Sequence, residues 1–377
     1  MKASARWVSV SALVVTGCAS CSQTDTTTAS PADASVANDT SNPQDSAVAD
    51  VTPQSVEDVH FIGRFDTSDP KQPLFAYPGT AISTRFTGTG IDVALADTGK
   101  NWFDVIVDNG TPSLLQTGGK TSFTLASNLA MGTHDVTIVK RTEGFVGSVR
   151  FSGFTPKGGA IVASPFPYAR RIEMIGDSIT CGYGVLGANA TCPFSADTES
   201  ETAAWGALAS KQLNAAHTAI AYSGRGLYRN FDGTLTDPMT QMWRRIVPDD
   251  SKSVWDFARY TPNVVVIDLG TNDYATGDPG MPYQDAYVAF LKKLRSTYPS
   301  AHIVAALGVM LGANEQAILK GYVQSAITAT GDPNVSLLEM TPQDGTDGFG
   351  CDYHPSAARQ QKMAAALVTH LKQKLGW

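Results

Sequence analysis

The chain has 377 residues, 42% hydrophobic and 17% charged, with a net charge of −7. That is a globular composition, with room for two domains and a tail. The acidic balance argues against nucleic acid or an anionic membrane surface as the main partner, because no excess of Lys or Arg is present to neutralise phosphates.

Lys2 and Arg6 precede a short apolar core, Trp7 to Val15, the pattern of an export signal. Val15-Thr16-Gly17-Cys18 resembles a bacterial lipobox. That resemblance implies cleavage before Cys18 and a lipid on it, so residues 1–18 hold the signal and its lipobox cysteine, and Cys18 becomes the first mature residue. An ordinary signal peptide cut near Ala19 is the alternative. The protein is therefore expected to be exported and held at a membrane by a lipid anchor, or else secreted. No apolar run reaches the roughly 18 residues of a spanning helix. Residues 19–58 are built from Ser, Thr, Ala, Asp, Pro and Gln and read as a disordered tether. If Cys18 is lipidated, Cys21, Cys181, Cys192 and Cys351 remain. Cys181 and Cys192 are close enough to clip one loop, and Cys351 is an alternative partner for either.

Residues 59–158 carry short alternating segments: Ala81–Phe86, Ile91–Ala96, Trp102–Val107, Thr121–Leu125, His134–Lys140 and Ser148–Phe151. Gly-rich turns separate them, with Asp108-Asn109-Gly110 a good hairpin turn. Many short strands without a convincing helix predict an all-β sandwich or jelly roll. Trp102 and Phe103 are read as core residues in preference to carbohydrate-stacking aromatics.

A linker through Lys157–Gly159 and Pro165–Pro167 follows, and from residue 168 to 377 the period changes. Strands at Arg171–Gly176, Ala219–Ser223, Asn263–Gly270, His302–Gly308 and Val335–Met340 alternate with helices at Thr202–Ala216, Tyr283–Tyr298, Glu315–Ala329 and Ser356–Leu375. This β/α alternation predicts a three-layer α/β domain with a parallel sheet. The insertion Arg225–Tyr260 is expected to wall one side of a site.

Four segments stand at strand ends: Gly176-Asp177-Ser178-Ile179, Ser223-Gly224-Arg225-Gly226, Gly270-Thr271-Asn272-Asp273 and Asp352-Tyr353-His354-Pro355-Ser356. Acyl transfer needs an oxygen nucleophile, a base titrating near the working pH and fixed donors for the oxyanion. Ser178 fits the nucleophile, with a helix opening behind it. His354, alone among six histidines, sits in a polar loop before a helix and fits the base. Asp177 reads as a cap, and Asp273 as a cap of the next helix. In order, the four segments resemble the SGNH/GDSL hydrolase superfamily, whose fold is flavodoxin-like. The resemblance implies an oxyanion hole from the N–H of Ser178, the N–H of Gly224 and the amide of Asn272. Gly226 competes with Gly224, which is preferred because it follows the strand directly.

In much of that superfamily an aspartate three residues before the histidine orients it. Here that position is Cys351, and Asp352 is two before, so Asp352 or a backbone carbonyl is the expected orienting group. A β-sandwich joined to GDSITCGYG, SGRGLYRN, GTND and DYHPS further resembles carbohydrate esterase family 2. That resemblance implies an exported serine esterase taking O-acetyl groups from acetylated xylan or glucomannan. One candidate loop histidine and scattered cysteines do not make a zinc site, so neither metal nor cofactor is expected, and a monomer is favoured. Other short-chain acyl hydrolysis, lipase or lysophospholipase activity, acetyl transfer, or non-catalytic glycan binding at a surface are the alternatives.

Overall fold

The computed structural model describes residues 56–97 and 99–377. The expected signal segment, Cys18, Cys21 and the tether up to residue 55 lie outside the described residues. The described residues all belong to one compact unit.

The N-terminal part is built from two antiparallel sheets. One runs Leu74–Phe75, Val149–Lys157, Gly90–Asp97, Ser122–Ala126. The other runs Ile161–Val162, Ala81–Gly88, Gly132–Lys140, Trp102–Val107, Ser113–Gln116, with His60–Ile62 also on Ala81–Gly88. Alternation puts Ile82, Phe86, Val93, Leu95, Phe103, Val136 and Ile138 into one shared core, which is the expected sandwich. Phe103 is in that core and Trp102 is half-buried. Asp108 and Asn109 both take left-handed φ, at 50° and 57°, the geometry of a type I′ turn. Ser113–Gln116 was not expected from the sequence because its side chains are mostly exposed and it lies at a sheet edge.

The residues expected to be a linker are instead paired. Lys157 pairs with Gly90, Ile161–Val162 extends a sandwich sheet, and Ser164–Pro165 pairs with Val56–Glu57.

The C-terminal part is a five-stranded parallel sheet. Its strands are β1 (Arg170–Gly176), β2 (Ala215–Ala221), β3 (Val264–Asp268), β4 (His302–Leu307) and β5 (Val335–Glu339). The spatial order is β2-β1-β3-β4-β5, so the order reverses between β1 and β3. In open α/β sheets the crevice at such a reversal, beyond the carboxyl ends, is where ligands bind. The helices that accompany the sheet are α1 (Ser178–Cys181), α2 (Trp205–Gln212), α3 (Thr271–Tyr274), α4 (Gly280–Thr297), α5 (Ala313–Thr330) and α6 (Ala357–Leu375), and the insertion after β2 carries one further helical turn, Met239–Met242. On β3, Val265 and Ile267 pack with α4 and α5, while Val264 and Val266 pack with α2 and α6. That two-sided burial explains why this strand reads as an unbroken apolar run.

The helix expected at Thr202–Ala216 stops earlier. Asn214 takes a left-handed φ of 49°, and Ala215 and Ala216 already pair with Arg170 and Arg171.

Part of the Arg225–Tyr260 insertion packs with β1, β3 and α4 in the core, through Met239, Met242 and Trp243. Trp243 is buried, donates to Glu173 Oε1 at 2.9 Å, and its carbonyl accepts from Arg64 of the sandwich. Arg64 also reaches the Arg245 carbonyl at 2.9 Å and Glu173 at 3.4 Å. This segment therefore bonds the two halves of the protein together.

Candidate active site

Gly176 ends β1 beside Thr180, so closely that a Cβ on Gly176 would lie 2.0 Å from Thr180 Oγ1. The chain then turns at Asp177, whose Oδ1 accepts from the Ile179 N–H at 3.0 Å. This local cap presents Ser178 at the carboxyl edge of the sheet, largely buried at 8% exposure. The helix behind Ser178 is a single turn that ends at Gly182 in the left-handed region, so its macrodipole is weak. Gln360 of α6 supports the turn by donating to the Ile179 carbonyl at 3.1 Å.

His354 Nε2 lies 2.9 Å from Ser178 Oγ, although the two are 176 residues apart in sequence. The other imidazole nitrogen, Nδ1, lies 3.2 Å from the carbonyl oxygens of both Cys351 and Asp352. A proton on Nδ1 satisfies those carbonyls and leaves Nε2 as the acceptor for the serine hydroxyl. Burial holds the imidazole below its ordinary range, and the two carbonyls only partly oppose that. A neutral imidazole against a serine hydroxyl is the arrangement that activates an oxygen nucleophile.

The other five histidines have partners elsewhere. His60 meets Ser164, His134 meets Asp108, His217 meets Glu201, and His302 and His370 share Ser336.

The Asp352 carboxylate does not face the imidazole. Its Oδ2 accepts from the Tyr183 hydroxyl at 2.7 Å and from the Phe194 N–H at 3.2 Å. Asp352 and Tyr353 both take left-handed φ, at 50° and 60°. The orienting contact comes from main chain, which corrects the expectation for the Asp352 side chain. The Tyr183 ring stacks on His354 with centroids 4.2 Å apart.

The expected Cys181–Cys192 clip is also corrected. Cys192 bonds Cys351, with Cα atoms 4.6 Å apart, and Cys181 is a buried free thiol on α1. Cys181 points into the interior from a helical turn, while Cys192 lies on the loop that pairs with residues 351–353. The Cys351 N–H bonds Gly184, Asp352 N–H bonds Cys192 and Tyr353 N–H bonds Ala190, each at 3.0 Å. The disulfide thus fastens the histidine loop to the loop that follows Ser178.

Opposite His354 are the ends of β2 and β3. Gly224 takes φ +77°, and its N–H and that of Ser178 meet no acceptor among the described residues. The Gly226 N–H by contrast contacts Asn230 Oδ1 at 3.4 Å. The Asn272 amide donates to Asp177 Oδ2 and to the Arg225 carbonyl, each at 3.0 Å. Burial pushes the Asp177 carboxyl up to about 7, against the pull of the Ile179 N–H.

Asp273 was expected to cap the next helix. Its carboxylate instead accepts the N–H groups of Leu227, Tyr228 and Arg229 at 2.7–2.9 Å and so shapes the loop after Gly224. Gly226 is required there, because a Cβ would lie 1.9 Å from the Arg229 carbonyl.

Sequence reasoning left the Cys192–Cys351 pair as the alternative to the Cys181–Cys192 clip, and assigned no role to Tyr183 or to the buried Glu143 and Glu199. Tyr183 was within reach, since it lies inside the GYG that closes the serine motif. Glu143 comes from the sandwich and carried no local signal.

The parallel sheet, its switch-point crevice and a serine against an imidazole define a hydrolase domain of the SGNH/GDSL type, preceded by a β-sandwich. The chain belongs to carbohydrate esterase family 2. Residues 61–165 match the model of the carbohydrate esterase 2 N-terminal domain, and residues 174–362 match that of the GDSL-like lipase/acylhydrolase family. The chain is 38% identical over 320 residues to the cellulase/esterase CelE of Acetivibrio thermocellus, covering 84% of this chain but only 39% of that protein. It is 30% identical over 335 residues to an acetylxylan esterase / glucomannan deacetylase of Cellvibrio japonicus, covering 84% of this chain and 91% of that one. A solved family two carbohydrate esterase from Clostridium thermocellum, in complex with cellohexaose, superposes with a TM-score of 0.80 at 37% identity, covering 85% of this chain and 99% of that one.

Proposed function

We propose that this protein is a serine esterase that hydrolyses O-acetyl esters on plant-type polysaccharides, acetylated xylan or glucomannan, through an acyl-enzyme on Ser178. The observation that carries the proposal is the 2.9 Å contact between Ser178 Oγ and His354 Nε2, with Nδ1 held by two carbonyls. Similarity to an acetylxylan esterase / glucomannan deacetylase supports the substrate class.

In this reading Ser178 Oγ attacks the acetyl carbonyl carbon as its proton passes to His354 Nε2. The oxyanion receives the N–H groups of Ser178 and Gly224, together with one Asn272 N–H that it shares with the Arg225 carbonyl. The imidazolium is stabilised through Nδ1 by the carbonyls of Cys351 and Asp352. It returns its proton to the departing sugar oxygen. Water then attacks the acetyl-serine with His354 again as base, releasing acetate and restoring the serine. Lysine and arginine are not needed near the leaving group, since a neutral sugar hydroxyl departs.

We further propose that the chain is exported and carries a lipid on Cys18, with the tether leading to the folded part. The Cys192–Cys351 disulfide supports an oxidising compartment.

The test is a series of 4-nitrophenyl esters of increasing acyl length. Turnover highest on acetate and lost in Ser178→Ala supports acetyl hydrolysis. Equal or better turnover on long chains overturns it in favour of a lipase. Labelling with radioactive palmitate in a lipoprotein-processing bacterium, lost in Cys18→Ala, tests the anchor.

A further inference from the structure

A group of ionisable side chains lies sealed beneath the site, where the sandwich meets the α/β domain. Glu143 follows the sandwich strand Gly132–Lys140 and is fully buried. Its Oε2 accepts the Ser223 N–H at 2.7 Å, and its Oε1 accepts the Ser223 hydroxyl at 2.5 Å. Ser223 immediately precedes Gly224. Glu199, also fully buried, comes from the loop behind α1 and accepts the Glu143 N–H at 3.0 Å through Oε2. Its Oε1 is buried and accepts from no donor among the described residues. Carboxylate oxygens of both residues and the Cys181 sulfur lie within 4.8 Å of one another.

Two carboxylates cannot both stay ionised so close together in a dry interior. Burial pushes the Glu143 carboxyl up as well, but the two hydrogen bonds it accepts from Ser223 oppose that push and favour its ionised form. Glu199 is therefore the group that keeps a proton, and burial together with the Glu143 charge pushes its carboxyl well up. A proton on Glu199 Oε1 gives that orphaned oxygen a partner in Glu143. The remaining charge is offset by Lys140, whose Nζ lies 3.1 Å from the Glu143 carbonyl and also donates to Thr142. The Cys181 thiol is pushed well up and stays neutral. With an ammonium and a neutral thiol around it, this cluster is suited to a shared proton and not to a divalent cation.

We propose that Glu143 is a positioning residue for the oxyanion hole: it fixes the Ser223–Gly224 turn and thereby aims the Gly224 N–H. This rests on the assignment of Gly224 as an oxyanion donor. It gives the sandwich a part in catalysis that does not require it to touch a sugar. Neither Glu143 nor Glu199 touches the reacting atoms.

The experiment compares Glu143→Gln, Glu199→Gln and Ser223→Ala in the full chain. For each, kcat and KM on 4-nitrophenyl acetate, the inhibition constant of phenylboronic acid (which forms a tetrahedral adduct on an active serine) and the melting temperature are measured. Losing an oxyanion donor outright costs on the order of 10²–10³ in turnover, and misaiming one costs less. Glu143→Gln is expected to lower kcat at least about 30-fold and to weaken the boronic acid similarly, with KM changed less than about threefold. Glu199→Gln still donates an N–H to Glu143 and is expected to lose less than about fivefold. If the Glu143 variant does not fold, Ser223→Ala, which removes only the hydroxyl half of the contact, is expected to lose about fivefold or more in kcat at a native melting temperature.

A Glu143→Gln enzyme within about threefold of the parent in kcat and boronic acid affinity overturns the proposal. So does a folded Ser223→Ala enzyme with unchanged kcat. Ser178→Ala separates the two levels. Full activity in that variant refutes the serine reading itself, whereas a dead Ser178→Ala beside an intact Glu143→Gln refutes only the positioning role.

Discussion

Asp352 meets His354 through its main chain, not its side chain: the Asp352 carbonyl lies 3.2 Å from His354 Nδ1, while the Asp352 carboxylate is bonded to the Tyr183 hydroxyl at 2.7 Å. A left-handed φ of 50° at Asp352 turns that carbonyl inward. Asparagine tolerates the same backbone conformation and still offers an oxygen to Tyr183. Asp352→Asn is therefore expected to keep kcat within about tenfold. An aspartate that orients the histidine directly costs about 10⁴-fold when replaced by asparagine. Steady-state rates on 4-nitrophenyl acetate distinguish the two, and His354→Ala serves as the inactive reference.

The pH dependence has a definite sign. Only neutral His354 can take the serine proton, and burial lowers its pKa from the ordinary 6.5. Activity is thus kept as pH falls through 6.5 and is lost only below it. The acid limb of kcat/KM, which reports the free enzyme, is expected to have its midpoint below 6.5. A midpoint above that value would mean that a carboxylate stabilises the imidazolium.

The Cys192–Cys351 bond closes 159 residues of chain. In the chain-entropy account such a closure is worth about 5 kcal/mol, an upper figure in practice. Cys192→Ser is expected to lower the melting temperature by roughly 5–10 °C. It also frees the loop that carries the Cys351 and Asp352 carbonyls, so kcat should fall with it. Cys181→Ser should leave the disulfide in place, which peptide mapping without reductant checks by recovering residues 192 and 351 in one linked fragment.

Asp273 is buried and holds three backbone N–H groups of the loop after Gly224. Asp273→Ala strands all three. Each unsatisfied buried donor costs about 1–3 kcal/mol, and part of the loss is recovered by relaxation. Urea unfolding is expected to show a stability loss on the order of 3 kcal/mol. Retention of parental stability would mean that the loop holds its shape without the carboxylate.

Much of this was legible in the sequence because it is local. The unbroken apolar run of β3, the Gly-Asp-Ser turn and the Asp-Asn-Gly hairpin each announce their own geometry. His354 could be singled out because the other histidines fall within strands, helices or the sandwich. What escaped depends on contacts between distant segments. Cys181 and Cys192 are near in sequence, yet a helical turn sends Cys181 inward, and Cys351 arrives from 159 residues beyond Cys192. Spacing places Asp352 beside His354, but only the left-handed backbone shows which of its oxygens faces the ring. Glu143 reaches Ser223, beside Gly224, across a domain boundary, and nothing near it in sequence signals that.

The central claim is that Ser178 deacetylates a polysaccharide, and acetate release from acetylated xylan and glucomannan tests it most directly. The parent enzyme is expected to release acetate from at least one of them. Ser178→Ala, at an unchanged melting temperature, should be slower by about 10³-fold or more. Acetate release at the parental rate by folded Ser178→Ala, or none from either polysaccharide by the parent, would contradict the account.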